Sequence, residues 1–283
     1  MRKIAPARLL LVWGLVGCLA GREAPAWAQT TQAGVNTDAN AAAKKAAGKR
    51  RPGVDRGRAK HSAANPDGTY MGRRIADVMS WEGADWLFRE TRVQEEQPEA
   101  MLDALKIPRG AVVADVGAGA GYHSIRLARR VGAKGMVLAT DLQPEMLRML
   151  KENARAARAT NIKPILASQD DPKLPVNKLD LVLMVDVYHE CTDPETMLKA
   201  IKQALKPSGR LVLVEFRAED PEIPIKPEHK MSLKQVRREV EPIGFVFKES
   251  LEFLPWQHVI VFEKPAEPKK PETSKSAAKT GAP

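Results

Sequence analysis

The stretch Val112-Val113-Ala114-Asp115-Val116-Gly117-Ala118-Gly119-Ala120-Gly121-Tyr122 constrains this 283-residue chain most strongly. An apolar, β-branched run ends at an acid. Three glycines follow at every second position, and an apolar stretch opens at Ile125-Arg126-Leu127-Ala128. That order predicts a buried strand, a tight loop made of backbone, and a helix. Glycines at such a turn let the main chain approach a ligand closely and aim amide groups at it. The stretch is therefore a candidate nucleotide or nucleoside cradle.

Downstream, apolar runs alternate with helical patterns. Strands are expected at 136–140, ending at Asp141, at 162–167, at 179–187 and at 211–216. Helices are expected at 97–105, with Pro98 in the first turn, at 144–158, at 194–205 before the break Pro207-Ser208-Gly209, and at 232–240, with Ser232 as cap. Two final strands, at 245–247 and 259–262, are close enough in sequence to pair antiparallel. The series reads as a doubly wound α/β sheet with helices on both faces.

The formal net charge of +10 invites a nucleic-acid partner, but its distribution speaks against one. Residues 1–68 hold 12 basic and 4 acidic side chains, and residues 264–283 hold 5 and 2, whereas 69–263 hold 28 and 29. The excess sits in the two ends and the centre is near neutral, so no nucleic acid is expected. Residues 1–28 resemble an export signal: Arg2, Lys3 and Arg8, an apolar stretch from Leu9 to Ala20, then Ala26-Trp27-Ala28. Leu15-Val16-Gly17-Cys18 also resembles a bacterial lipoprotein box, which implies cleavage before Cys18 and a lipid tether there. An uncleaved apolar helix is the third possibility. An exported location follows from either cleavage, periplasmic or membrane-anchored. Residues 29–68 and 264–283 are too poor in large apolar side chains to offset ordering entropy and are expected to be disordered, the first as a basic linker. Residues 69–96 form an N-terminal arm. Ile75, Val78 and Met79 are spaced as on a helix over 71–80, and Trp81, Trp86 and Phe88 suggest either a lid or a packing element. Cys18 and Cys191 imply no disulfide framework. No metal is assigned.

In an open parallel sheet, ligands bind beyond the C-terminal strand ends. Carboxylates cluster there, at Asp115, Asp141, Asp170-Asp171, Asp186 to Glu190, and Glu215. Asp141 ends the second strand and is placed to accept ribose hydroxyls. The loop is G-x-G-x-G, not the G-x-G-x-x-G of dinucleotide sites. Carboxylates without phosphate partners suit a cationic nucleoside such as S-adenosylmethionine.

These residues resemble the class I S-adenosylmethionine-dependent methyltransferases. Asp115 to Gly121 is similar to their first motif, Asp141 to the acid ending their second strand, and Asp170-Asp171-Pro172-Lys173-Leu174-Pro175 to their adenine-side motif. Leu179-Asp180-Leu181-Val182 is similar to their fourth strand, and Lys206-Pro207-Ser208-Gly209-Arg210-Leu211 to the turn into their fifth. The likeness spans about 98–263 and lies nearest the ubiquinone-biosynthesis branch and exported bacterial proteins with this domain. It implies a Rossmann-like sheet of order 3-2-1-4-5-7-6 with strand 7 antiparallel. It also implies S-adenosylmethionine contacts at Asp115, Gly117, Gly119, Gly121, Asp141, Leu142, Asp170 and Asp186, a small-molecule acceptor, and a methyltransferase domain over 97–263.

Methyl transfer needs a base only if the acceptor loses a proton. Asp186, Tyr188, His189 and Glu190 follow the fourth strand, and His189 and Glu215 are the catalytic candidates. Lys226-Pro227-Glu228-His229-Lys230 is a charged loop on the substrate side. An export signal beside a cytoplasmic cofactor leaves three functions to weigh: a methyltransferase, a non-enzymatic binding module on the same fold, and, disfavoured by the loop spacing, an NAD-dependent oxidoreductase.

Overall fold

A computed structural model describes residues 67–266. The export signal over 1–28, the Cys18 tether, the linker up to residue 66 and the tail beyond residue 266 lie outside the described residues. No described helix is long and apolar enough to cross a membrane.

Seven strands carry the site: β1 Val112–Val116, β2 Met136–Asp141, β3 Ile162–Leu166, β4 Leu179–Val185, β5 Leu205–Arg217, β6 Val246–Leu251 and β7 Gln257–Glu263. Their order is 3-2-1-4-5-7-6, with the two-residue strand Lys230–Met231 added against β5. β1 pairs in parallel with β2, Val112 opposite Met136, and with β4, Val113 opposite Leu181. β7 runs antiparallel to both β5 and β6. The order reverses between β1 and β4, so the crevice at their C-terminal ends is the topological switch point. The central strands read as continuous apolar runs because both faces are covered. At the open edge, β3 tolerates Pro164, where no neighbour asks for the missing N–H.

The helices divide between the faces. On one face α2 (Pro98–Ala104) and α3 (Tyr122–Val131) pack Met101, Leu102, Leu105, Leu127 and Val131 against Val113, Val137, Leu181, Leu183 and Val212. α4 (Pro144–Ala156) sets Leu147 and Leu150 against Ala139, which points the same way as Val137. On the other face α5 (Pro194–Ala204) and α6 (Leu233–Val240) pack Leu198, Ile201, Val236 and Val240 against Val182, Met184, Leu211, Leu213 and Ile260. Ser232 caps α6, its hydroxyl accepting from the Gln235 N–H at 3.1 Å. The polypeptide enters β5 directly from α5 at Leu205, and Ser208, at φ 60°, turns the chain inside the strand, where the register with β4 shifts.

The arm departs from the helical expectation over 71–80. Thr69–Tyr70 and Arg73–Arg74 form a small hairpin whose turn residues Met71 and Gly72 have φ of 47° and 89°, which ends any helix there. An irregular segment follows, then a 3-10 helix at Trp81–Phe88 and the short α1 at Arg92–Glu96.

Candidate functional site: a nucleoside pocket at the switch point

An open pocket lies where β1, β2 and β4 end. Its floor is Val116, Gly117 and Gly119; one wall is Thr140, Asp141 and Leu142, and the far wall is Met184, Val185 and Val187. Gly117 has φ +70°, and a Cβ there would collide with the Val187 side chain. A Cβ on Gly119, at φ +54°, would come within 2.8 Å of Leu87 Cδ1. The loop thus keeps its floor at the level of the backbone. A Cβ on Gly121 would meet Leu150 Cγ at 2.9 Å, so this third glycine serves the contact between loop and α4.

Four of the loop amides, those of Gly117, Ala118, Gly119 and Gly121, are spent inside the protein. The N–H groups of Gly117 and Ala118 both donate to the Thr140 carbonyl at 2.9 Å, and that of Gly121 donates to Ala118. The Gly119 N–H donates to Asp141 Oδ2 at 2.8 Å, and Asp141 Oδ1 accepts from the Gln143 N–H at 2.9 Å. Each Asp141 oxygen keeps a lone pair for a further donor. Burial raises the Asp141 pKa against the backbone bonds from Gln143, Gly119 and Leu142. A pyrophosphate cradle needs free amides and positive charge. Here the amides of the lining glycines Gly117 and Gly119 are taken, and the ionisable lining side chains are the acids Asp141 and Glu190, and the cysteine Cys191. The donor set fits a ribose diol beside a cationic sulfonium, with adenine between apolar walls, so Asp141, Gly117, Gly119 and Leu142 are the residues that would hold S-adenosylmethionine.

The other expected contacts sit elsewhere. Asp115 is buried behind the loop and accepts from Ser124 Oγ at 2.6 Å; burial and the nearby Asp141 charge push it up to about 7. It ties β1 to the start of α3. Asp170 is exposed and bonded to Ser168 Oγ, while Ser168 and Gln169 line the pocket in its place. Asp186, at φ 54°, turns away and receives both bonds from Gln257 Nε2, at 2.9 and 2.8 Å. Burial, then Glu96 and Glu215, raise its pKa well above the carboxylate range.

The arm forms the roof, through side chains other than its aromatics. Val78, Met79 and Leu87 line the pocket, and Gln143 staples the arm to α4: its Oε1 accepts from the Trp81 N–H at 2.8 Å and its Nε2 donates to the Met79 carbonyl at 2.9 Å. Trp81 and Trp86 are 40% and 41% exposed, and Trp86 stacks under the Arg89 guanidinium at 3.7 Å. Sequence reasoning missed Leu87 because it weighed the conspicuous rings over the aliphatic residue between them.

His189 and Glu215 are brought together, away from the nucleoside pocket. His189 Nδ1 lies 2.5 Å from Glu215 Oε2, and Glu215 Oε1 accepts from the Tyr188 N–H at 2.9 Å. Burial works against the charged imidazole, but the Glu215 charge and hydrogen bond hold the His189 pKa above its ordinary value. Glu190, the next residue, does line the pocket; burial pushes it up to about 7, and its Oε1 accepts from the Met79 N–H at 3.3 Å. His229 Nδ1 lies 3.0 Å from His189 Nε2.

Comparison with known proteins agrees with this geometry. Residues 113–209 match the family described as a methyltransferase domain. The chain is 30% identical over 116 residues to the ubiquinone/menaquinone biosynthesis C-methyltransferase UbiE of Enterobacter sp., a match spanning 41% of this chain and 46% of that one, less than half the relative's length. The crystal structure of a SAM-dependent methyltransferase from Aquifex aeolicus aligns with TM-score 0.63 and 25% identity over 66% of this chain and 99% of that one. A phosphoethanolamine N-methyltransferase of Haemonchus contortus, solved with S-adenosyl-L-methionine, shares the fold at TM-score 0.54 and 15% identity, over 65% of this chain and 56% of that one. Sheet order, glycine loop and the match over residues 113–209 together make the sheet domain of this chain similar to the class I S-adenosylmethionine-dependent methyltransferases.

Proposed function

We propose that this chain transfers the methyl group of S-adenosylmethionine to a small acceptor bearing a quinol-like, ionisable hydroxyl ring. The observation that carries the reading is the Asp141 carboxylate beside loop amides already paired within the protein. That arrangement accepts a ribose, and it leaves the amides of Gly117 and Gly119 on the pocket floor unavailable to a phosphate. It also speaks against the oxidoreductase alternative. The likeness to UbiE supports the quinol-like class.

The transfer is an in-line displacement from a sulfonium, in which holding donor and acceptor in line supplies most of the acceleration. Asp141 would fix the nucleoside, the bare floor at Gly117 and Gly119 would admit the methionine part, and the roof of Met79 and Leu87 would exclude water. When bound, the cofactor supplies the electrophilic methyl group. Export, read from residues 1–28, belongs to the same proposal; fractionation of cells expressing wild type and Cys18→Ser tests the tether. Transfer itself is tested by incubating the purified chain with methyl-labelled S-adenosylmethionine and a panel of hydroquinones. Label in a methylated ring product is expected; a chain that binds the donor yet labels no hydroquinone contradicts the acceptor class.

A further inference from the structure

We propose that His189, Glu190 and His229 form a binding site for one divalent transition-metal ion on the acceptor side of the pocket, where the ion holds an anionic oxygen of the acceptor. One potential ligand atom from each of the three residues lies within 4.8 Å of those of the other two, and His189 Nε2 and His229 Nδ1 are 3.0 Å apart. Ligand atoms at about 2.1 Å from a tetrahedral ion stand about 3.4 Å from one another. The imidazoles therefore need to part by only tenths of an ångström. Glu190 is held by a single long bond to the Met79 N–H, 3.3 Å, which it can leave by a side-chain rotation.

The surroundings are those of a ligand set. The Glu215 carboxylate grips His189 Nδ1 and is itself fixed by the Tyr188 N–H. A carboxylate on the far ring nitrogen is how metal-binding histidines are commonly oriented, with the lone pair left on the nitrogen facing the ion. Two imidazoles meeting at 3.0 Å without a cation leave one proton to share, whereas an ion between them satisfies both lone pairs. The nearby guanidinium of Arg73 is occupied by Glu239, at 2.7 and 3.1 Å, and by the His189 carbonyl at 3.0 Å. The Glu215 carboxylate, bonded to His189 Nδ1, is therefore the negative group placed directly behind the cluster. His189 is buried, while Glu190 and His229 are half-buried, so the ion would keep open positions towards the acceptor. Glu190 also lines the nucleoside pocket, which sets that open side next to the methyl donor. Two nitrogens and one carboxylate suit Zn²⁺, Fe²⁺ or Co²⁺ better than Mg²⁺.

The ion's role toward the acceptor rests on the methyl-transfer reading; its binding does not. The test is calorimetric titration of the full chain, stripped with chelator, with Zn²⁺ and with Mg²⁺, in wild type, His229→Ala and Glu190→Gln, each checked for native near-UV circular dichroism. One Zn²⁺ per chain is expected in wild type, with affinity at least about 10-fold weaker in each variant and Mg²⁺ far weaker throughout. Co²⁺ should give visible absorption bands in wild type that His229→Ala removes. Equal Zn²⁺ affinity in all three proteins, or no stoichiometric binding by wild type, overturns the site. S-adenosylmethionine titrated into the same wild-type sample separates the readings: Zn²⁺ binding without donor binding keeps the metal site and removes the methyltransferase.

Discussion

The two halves of the crevice are built differently. The donor half comes from one contiguous stretch, Asp115 to Gly121, and from the acid that ends the adjacent strand. Strand, loop and helix fix those positions locally, and Asp141 reaches the loop because β2 lies beside β1 in parallel register. The other half, proposed above to face the acceptor, gathers His189 from just beyond β4, Glu215 from β5, and His229 from the connection after β5. Nothing local brings those groups together; the sheet does. The difference teaches that a backbone cradle announces itself in sequence by what it leaves out, whereas a side-chain cluster becomes visible only once the strand ends are aligned.

Several substitutions would break or sharpen that contrast. The largest effect is expected at the loop floor. Gly117→Val puts a branched side chain at φ +70° against Val187, and should cost about 2–4 kcal/mol of stability and abolish donor binding, read by urea titration and calorimetry. Asp115 comes next. Its carboxyl keeps a proton up to about pH 7 in the folded chain, whereas the unfolded group loses it near 3.8. The folded state therefore binds more protons across that window, and stability falls as pH rises through it, by on the order of 4 kcal/mol, then levels off. Asp115→Asn should flatten that slope in melting curves taken between pH 4 and 8; an unchanged slope assigns it to other buried acids. Leu87→Ala opens the roof above Gly119 and should weaken donor affinity several-fold, a cost of about 1 kcal/mol. Trp86→Ala, at an exposed ring, should change donor affinity by less than about 0.5 kcal/mol. Reversal of those last two effects would restore the aromatic lid.

The strands themselves were legible because every central one is an apolar run bounded by a turn signal, and the closing antiparallel hairpin followed from the short gap between its strands; their order in the sheet came from the likeness to the methyltransferases, because apolar runs do not say which strand lies beside which. The donor loop was legible in the same way as the strands. The arm was not: Ile75, Val78 and Met79 keep helical spacing, yet the turn at Met71 and Gly72 and the pairing of Tyr70 with Arg73 start it as a hairpin, and Val78 and Met79 line the pocket as part of its roof. Asp186 looked like a ligand residue because it follows β4, but the amide of Gln257, some 70 positions on, claims both its oxygens. His189 and Glu215 were both singled out, yet no spacing rule tells that one orients the other.

The central claim is that the switch-point pocket holds a ribose through Asp141 and leaves the amides of Gly117 and Gly119 unavailable to a phosphate. Calorimetric titration of wild type and Asp141→Asn with S-adenosylmethionine and with NADH tests it most directly. The account predicts binding of S-adenosylmethionine at one site, weakened by about 2 kcal/mol in Asp141→Asn as a charged hydrogen-bond acceptor is lost, and no binding of NADH. Saturable NADH binding, or S-adenosylmethionine affinity untouched by Asp141→Asn, would contradict it.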